Sequence, residues 1–301
     1  MRLSVIICTH NPRQDYFARA LSALAAQTLD QSKWELLIVD NRSEPPVAGR
    51  FDLSWRPDVR VFREETLGLT PARLRGIREA RGELLVFVDD DNILDSDYLE
   101  QALRISEERP WLGSWSGQCR PEFEAEPEEW TRRYWGNLAI REFEHDVWSN
   151  LPRLVDTMPC GAGLCVRRPV AAHYLKLHDE GRRTTQFDRT GNSLMSGGDN
   201  DLAACACDVG LGVGLVSGLK LVHLMPTDRL TLDYLSRLAE GIHYSAILLD
   251  AERGLPPSRR GIASRLADVL RLAKLTGPDR RIASAAQRGT RRAERLLTSG
   301  K

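Results

Sequence analysis

The sequence predicts an α/β fold in which a mostly parallel sheet is flanked by helices. The first hundred residues alternate short apolar runs with amphipathic stretches, which is typical of strands joined by crossover helices. Polar residues follow several apolar runs directly, as they do at the carboxyl edge of parallel sheets. With 42% hydrophobic and 28% charged residues, the 301-residue chain has the composition of a globular protein and not of a disordered one.

The amino-terminal third contains the clearest elements. The predicted strands are short apolar runs: LSVIIC at 3–8, WELLIVD at 34–40, VRVF at 59–62 and ELLVFV at 83–88. Residues 16–27 show one apolar helical face, and a further helix is predicted from 97 to 107. Thr70 and Pro71 predict the start of another helix, because threonine caps helices and proline is tolerated at the first helical position.

The middle of the chain is less regular. Residues 111–160 contain five of the seven tryptophans among Pro and Glu, and we expect a binding insertion rather than a unit of the sheet. Beyond it, 161–166 and 219–224 predict strands, and 201–210 predicts a helix.

After Pro226 the chain is predicted to be helical and becomes basic. Residues 230–250 form one apolar helical pattern, and residues 258–275 predict a basic amphipathic helix. Residues 256–301 carry ten Arg, two Lys and three acidic residues, a net charge of +9 in a chain with no net charge. Such a tail can contact an anionic membrane, or pack on the acidic body or a second subunit, so a homo-oligomer stays open. Nucleic acid is disfavoured because the tail lacks interleaved aromatic residues.

No run approaches the roughly twenty apolar residues that span a bilayer, and the amino terminus lacks the apolar core of a signal peptide. We therefore expect a cytoplasmic protein, with peripheral contact at the inner membrane face left open.

Three carboxylates end the strand in LLVFVDDDNILD. Asp89 and Asp91 are spaced to hold a hard cation such as Mn²⁺ or Mg²⁺ against phosphate oxygens, with Asp90 between them. The alternative is a solvated turn or a helix cap. His223 ends an apolar strand and is either a third metal ligand or a structural histidine.

Further polar residues follow other strands. Thr9 and Asn11 follow the first strand, and Asp40 follows the second, where an acid can accept hydrogen bonds from a base or ribose. Arg73 lies in the first turns of a helix, where free N–H groups favour a diphosphate. Asp40 as an ordinary cap and Arg73 as a surface residue are the plain alternatives.

A second acidic group occurs in SGGDNDL. Asp199 and Asp201 follow glycines that let backbone approach a ligand, and a carboxylate across a crevice from a leaving group can deprotonate a hydroxyl. The alternative is a cap for the helix that follows.

The segments CTHNP, VDNRS, EETLGLTPARLRGI, RGELLVFVDDDN and SGGDNDL, in this order, resemble an inverting glycosyltransferase of family 2 with the GT-A nucleotide-sugar fold. The resemblance covers about residues 1–225. It implies a domain at 1–226, with a nucleotide-binding half at 1–110 and an acceptor-binding half at 111–226, and a basic helical extension at 227–301.

The resemblance also implies roles. The residues expected at the nucleotide are Thr9, Asn11, Asp40, Arg73, Asp89 and Asp90. Asp89 and Asp91 match the D-x-D element and Asp199 matches the general base, with Asp201 in reserve. Gly198 stands where the family has Glu, and Leu74 stands where asparagine is common. The residues expected at the acceptor are Trp135, Trp148, Gly161 and Gly198, although packing is the plainer role for the tryptophans.

The implied reaction transfers a hexose from a UDP- or GDP-sugar to an acceptor hydroxyl with inversion, assisted by Mn²⁺ or Mg²⁺. The acceptor would be a glycan or a lipid-linked glycan of polysaccharide or glycoconjugate biosynthesis. The alternatives are a non-catalytic nucleotide or glycan binder, or a D-x-D phosphohydrolase, which Asn92 and only five lysines disfavour.

Overall fold

The computed structural model describes residues 1–152, 155–185, 187–190, 193–255 and 270–299. Within these residues, nine strands form one mixed sheet, and two short strands form a separate hairpin. The strands are β1 (Leu3–Thr9), β2 (Trp34–Asp40), β3 (Arg60–Arg63), β4 (Leu84–Val88), β5 (Asn92–Leu94), β6 (Leu112–Phe123), β7 (Val147–Ser149), β8 (Leu164–Arg167), the hairpin strands β9 (Arg189–Thr190) and β10 (Ser193–Leu194), and β11 (Gly212–Met225).

The sheet has the order β3-β2-β1-β4-β8-β6-β11-β5, and β7 pairs with β11. The first four strands of this order are parallel, as are β6 and β11, whereas β8, β5 and β7 run antiparallel to their neighbours. The carboxyl ends of β1, β4 and β11 therefore lie along the same edge.

Helices cover both faces of the sheet. They are α1 (Gln14–Ala25), α2 (Leu69–Glu79), α3 (Tyr98–Glu108), α4 (Arg168–Asp179), α5 (Gly198–Asp208), α6 (Leu232–Glu252) and α7 (Gly277–Ser299). Alternate residues of β1 point to opposite faces, so Val5 and Ile7 join the core under α1 and α3, and Ile6 joins the core under α2, α4 and α5. Burial of these two apolar layers holds the sheet edge rigid.

The carboxyl-terminal helices form a third packed unit. A Cβ at Gly289 of α7 would collide with the carbonyl oxygen of Glu240 in α6, so the two helices touch at their backbones. Arg288 also pairs with Glu240. The described part of the basic tail thus packs on the protein itself. The predicted amphipathic helix falls largely on residues 256–269, which lie outside the described residues. In the part of the chain that the structure describes, no helix combines the length and apolarity needed to cross a bilayer.

Two predictions of local structure were wrong. Residues 112–123 lie inside the predicted insertion, yet they form β6 in the middle of the sheet. Thr70 is not the helix cap, since α2 begins at Leu69 after Gly68, whose φ of 134° suits glycine. The predicted α/β class, with a mostly parallel sheet between helices and a helical extension, is confirmed.

Candidate functional site

A cavity of about 340 Å³ opens at the carboxyl edge of the sheet. It lies between the strand ends of β1, β4 and β11 and the amino-terminal turns of α2 and α5. Its chemically distinctive lining residues are Cys8, His10, Arg73, Asp89, Asp90, Asp91, Gly161, Asp188, Gly198, Asp199, His223 and Arg229. Most of the acidic residues predicted for the site therefore share one cavity.

The three carboxylates after β4 place more negative charge in this cavity than is easily tolerated. Burial and the charge of Asp91 raise the pKa of Asp89. Burial, and then Asp91, raise the pKa of Asp90 to about 7, although its carboxylate accepts a hydrogen bond from the Thr9 hydroxyl. The cavity is thus prepared for a positive partner beside these acids.

Asp91 is the most tightly held of the three acids. Its Oδ1 accepts a hydrogen bond from Asn92 Nδ2 at 3.0 Å. Its Oδ2 lies 3.1 Å from Arg229 Nη1 and 3.3 Å from His223 Nε2. Although burial works against the charged form, the charges of His223 and Arg229 hold the pKa of Asp91 well below its usual range.

The sheet register explains why these side chains meet. β5 follows the three acids and pairs antiparallel with β11, so that His223 lies opposite Asn92. The backbone N–H of Leu224 donates to the carbonyl oxygen of Asp91 at 2.9 Å. Arg229 follows in the 3₁₀ turn Thr227–Leu230, directly after this strand.

The donor set suits a hard divalent cation in its chemistry. Asp89, Asp91 and His223 offer carboxylate oxygens and an imidazole, and the raised pKa values of Asp89 and Asp90 mark negative charge that lacks full compensation. Across the described ranges, however, no three His, Cys, Asp or Glu side chains are grouped closely enough to hold a metal ion. Arg229 engages Asp91 instead. The donor atoms of Asp89, Asp91 and His223 therefore fit a hard divalent cation in their chemistry, whereas their spacing does not form a metal-binding cluster.

Arg73 and Asp199 are neighbours in the same cavity as the D-x-D element. Arg73 is only 4% exposed. Burial works against its charge, but the carboxylates of Asp199 and Asp89 outweigh that effect and raise the pKa of Arg73. Asp199 Oδ2 accepts a hydrogen bond from the N–H of Gly161 at 2.8 Å. The structure thus places a buried cation beside a carboxylate held by a backbone N–H.

Gly161 makes this approach possible. A Cβ at Gly161 would lie 2.9 Å from Arg73 Nη2 and 3.1 Å from Asp199 Oδ2. A Cβ at Gly198 would lie 3.5 Å from Arg73 Nη1. Both glycines line the cavity, and only at Gly161 would a side chain crowd both Arg73 and Asp199.

Sequence reasoning missed an arginine and an aspartate of the cavity, Arg229 and Asp188. Arg229 has no sequence signal, because its position depends on the long-range pairing of β11 with β5. Asp188 is 3% exposed and accepts hydrogen bonds from Thr70 N and Thr70 Oγ1, both at 2.8 Å. Asp188 therefore fixes the first turn of α2 and, through it, the helix that carries Arg73.

Three of the residues expected at the nucleotide, Thr9, Asn11 and Asp40, lie just outside the cavity lining. Thr9 is 4% exposed and donates to Asp90. Asn11 has a left-handed φ of 50°, and its backbone N–H donates to Ser43 Oγ at 2.8 Å, which ties together the loops after β1 and β2.

The structure corrects the role predicted for Asp40. Its carboxylate is 2% exposed and accepts hydrogen bonds from Ser43 N at 2.8 Å and Val47 N at 3.0 Å, while Arg63 lies 3.4 Å away. Asp40 thus organises the loop after β2, and both of its oxygens already accept hydrogen bonds from that loop, which is the role of a cap.

Asp201, the reserve base, is corrected as well. It lies outside the cavity lining and is 2% exposed. Arg183 Nε lies 2.6 Å from its Oδ2, and Arg253 Nη1 lies 2.7 Å from its Oδ1. Both oxygens are engaged by buried guanidinium groups, so Asp201 is a structural residue.

The two tryptophans expected at the acceptor do not line the cavity either. Trp135 is half-buried and packs on the ring of Phe123, with 4.8 Å between ring centroids. Trp148 is 56% exposed and lies opposite Gly214 in β11. Gly214 and His223 pair with Trp115 and Pro121 of β6, which are about 20 Å apart along a strand. The correction is clear for Trp148, which lies at the wrong end of the sheet.

Comparison with known sequences identifies a family. The sequence profile described as Glycosyl transferase family 2 matches residues 4–162, more than half of the chain. The glycosyltransferase AglE of Haloferax volcanii is 31% identical over 104 residues, which are 34% of this chain and 34% of AglE. The poly(ribitol-phosphate) beta-N-acetylglucosaminyltransferase TarS of Staphylococcus aureus is 27% identical over 111 residues, 36% of this chain and 19% of TarS. The chain therefore spans about a third of these curated relatives, or less.

Solved structures of residues 1–349 of Staphylococcus aureus TarS share the fold. The complexes with UDP and with UDP-GlcNAc each have a TM-score of 0.52 and 15% sequence identity to this chain. They cover 100% of it, and it covers 92% and 93% of those chains, respectively. This likeness confirms the GT-A type of fold.

Proposed function

The chain belongs to glycosyl transferase family 2, and from that premise we propose that it transfers a sugar from a nucleotide-diphosphate sugar to an acceptor hydroxyl with inversion. The proposal includes assistance by Mn²⁺ or Mg²⁺ and a hexose as the transferred sugar. A role in polysaccharide or glycoconjugate biosynthesis is part of the same proposal.

One observation carries the proposal. The cavity at the carboxyl edge of the sheet brings the D-x-D acids to the same space as Arg73 and a carboxylate held by the N–H of Gly161. An acid cluster suited to a cation, a buried guanidinium and an opposed base are the parts that displacement of a diphosphate requires.

Asp199 is the proposed general base. The Gly161 N–H holds Oδ2 of its carboxylate, which leaves Oδ1 to take the proton of an acceptor hydroxyl as that oxygen attacks the anomeric carbon. Arg73 stabilises the negative charge that develops on the departing diphosphate. A divalent cation held by Asp89, Asp91 and His223 would neutralise part of the same charge.

The donor is proposed to be a UDP- or GDP-sugar. UDP has the stronger support, because TarS, whose fold this chain shares, has been solved with UDP and with UDP-GlcNAc. The proposed acceptor is a glycan or a lipid-linked glycan.

Transfer assays with UDP- and GDP-sugars in the presence of Mn²⁺ test the reaction. We expect Asp199→Asn to lower turnover by about a thousandfold or more, since the proton acceptor is lost, while nucleotide affinity stays at the wild-type level. Full turnover in this variant would remove Asp199 from the mechanism.

A non-catalytic binder of nucleotide or glycan is the second candidate. Gly198 favours it, because this glycine stands where the family has a glutamate. Wild-type protein that binds a nucleotide-sugar tightly but neither hydrolyses nor transfers the sugar would decide for the binder.

We also propose that the basic tail contacts an anionic membrane surface and so brings the cavity to a lipid-linked acceptor. Arg280, Arg291 and Arg295 are exposed on α7 after its apolar face has packed on α6. Replacing these three arginines with glutamate should abolish co-sedimentation with phosphatidylserine vesicles. Equal co-sedimentation of variant and wild type would refute this part of the proposal.

A further inference from the structure

We infer that Arg229 is an exchangeable counter-ion: it neutralises Asp91 in the donor-free protein, gives way to the divalent cation, and then binds the diphosphate of the donor. The inference rests on the proposed function and assigns a role to a residue that the sequence did not indicate.

The guanidinium group of Arg229 contacts both Asp91 and His223. Arg229 Nη1 lies 3.1 Å from Asp91 Oδ2 and 3.4 Å from His223 Nε2, and these two atoms are 3.3 Å apart. A cation shared by the carboxylate and the imidazole would have to lie between atoms that Arg229 already contacts. Two positive groups cannot occupy this space together, because their repulsion is strong in a poorly solvated site.

Movement of Arg229 away from Asp91 would leave the negative charge of the Asp91 carboxylate without this partner. Asp91 is 7% exposed and lines the same cavity as Asp89 and Asp90. Without a positive partner, a buried carboxylate beside two other acids would be destabilised. Arg229 supplies this partner in a form that can exchange, since a guanidinium is a permanent cation on a flexible stem.

The side chain of Arg229 is less enclosed than those of the arginines that pair with Asp201. Its side chain is 28% exposed, whereas Arg183 and Arg253, the partners of Asp201, are 6% and 5% exposed. The turn itself is anchored, because its last residue, Leu230, is buried in the apolar cluster that includes residues of α6 and α7. The backbone can therefore stay in place while the side chain swings from Asp91 towards a ligand in the cavity.

The diphosphate of the donor is a suitable new partner for the guanidinium group of Arg229. A diphosphate presents paired anionic oxygens, which guanidinium groups bind well. Arg73 and Arg229 line the same cavity as Asp89 and Asp91. When a cation replaces Arg229 at Asp91, the released guanidinium is beside the anion that the cation brings.

The test uses the full-length protein and two binding measurements. Binding of Mn²⁺ alone is measured by electron paramagnetic resonance, and binding of UDP and of GDP at saturating Mn²⁺ by calorimetry. The variant is Arg229→Gln. The matched control is Arg237→Gln, which alters an exposed arginine of α6 that pairs with Asp233.

We expect Arg229→Gln to bind Mn²⁺ about tenfold more tightly, since the competing cation is gone, and to bind the nucleotide about tenfold more weakly. Arg237→Gln should match the wild type in both measurements. Opposite shifts in one variant cannot arise from a folding defect, which would weaken both. Arg229→Lys, which keeps the charge, should lie between wild type and Arg229→Gln in both assays.

An unchanged or weaker Mn²⁺ affinity in Arg229→Gln would overturn the inference, as would an unchanged nucleotide affinity. In either case Mn²⁺-assisted nucleotide binding by the wild type would leave the proposed function standing. If the wild type bound neither Mn²⁺ nor nucleotide, the proposed function and the inference would both fall.

Discussion

Asp91 and Asp201 are two buried carboxylates with opposite relations to their surroundings. Each faces two basic side chains, and they are 7% and 2% exposed. Asp201, Asp208, Arg183 and Arg253 form a closed cluster of two acids and two arginines. Asp91 instead lies in a cavity beside Asp89 and Asp90, and pairs with Arg229, whose side chain is 28% exposed.

This difference separates a structural ion pair from a functional one. A buried cluster whose charges cancel has no need of a further partner, and its removal costs stability. A cluster that carries an excess of one sign beside open space is prepared to bind the opposite charge. Burial alone would not have distinguished the two acids.

The largest effect is expected at the closed cluster. Asp201→Ala leaves Arg183 and Arg253 buried without their shared partner, so the free energy of unfolding should fall by about 3–5 kcal/mol. Urea denaturation measures this. Asp208→Ala, which removes the more exposed acid of the cluster, is the control and should cost about 1 kcal/mol. A loss below 1 kcal/mol for Asp201→Ala would show that the cluster is not structural.

A smaller effect, on turnover alone, is expected at the cavity. In Gly161→Ala the new methyl group would meet Arg73 Nη2 and Asp199 Oδ2. The displaced base should lower kcat about a hundredfold. Gly136→Ala is the matched control, because a Cβ there meets no atom within 4 Å. If both variants kept wild-type kcat, the position of Asp199 would not matter for the reaction.

The smallest effect is expected far from both clusters. Trp148→Ala changes an exposed ring at the other end of β11, so stability should change by about 0.5 kcal/mol or less and transfer should stay at the wild-type rate. A raised KM for the acceptor would instead indicate that Trp148 contacts the acceptor, which would contradict its position in the fold.

The parts of the fold that the sequence predicted well are those set by local patterns. β1, β2 and β4 are short, mostly apolar runs, as expected of strands buried on both faces. β6 was missed because LGSWSGQCRPEF mixes glycine, serine, proline and charge, and its place in the sheet depends on pairing with β8 and β11.

The candidate site likewise contains residues that local sequence patterns predict and residues that they do not predict. Asp89, Asp91, Arg73 and Asp199 follow recognisable segments, and the structure brings them to one cavity. Arg229 and Asp188 act through contacts with residues far away in the chain, Asp91 and Thr70, so no local pattern announces them. Asp40 and Asp201 looked equally suited to a ligand, and only their hydrogen-bond partners show that they are already engaged.

Calorimetric titration of a UDP-sugar, with and without Mn²⁺, tests the central claim most directly. That claim is that the acids after β4 hold a cation against the diphosphate of the donor. The wild type should bind the donor at least about tenfold more tightly with Mn²⁺, and Asp91→Asn should lose this gain while keeping its fold. Equal donor affinity with and without Mn²⁺ in the wild type, or an undiminished gain in Asp91→Asn, would contradict the account.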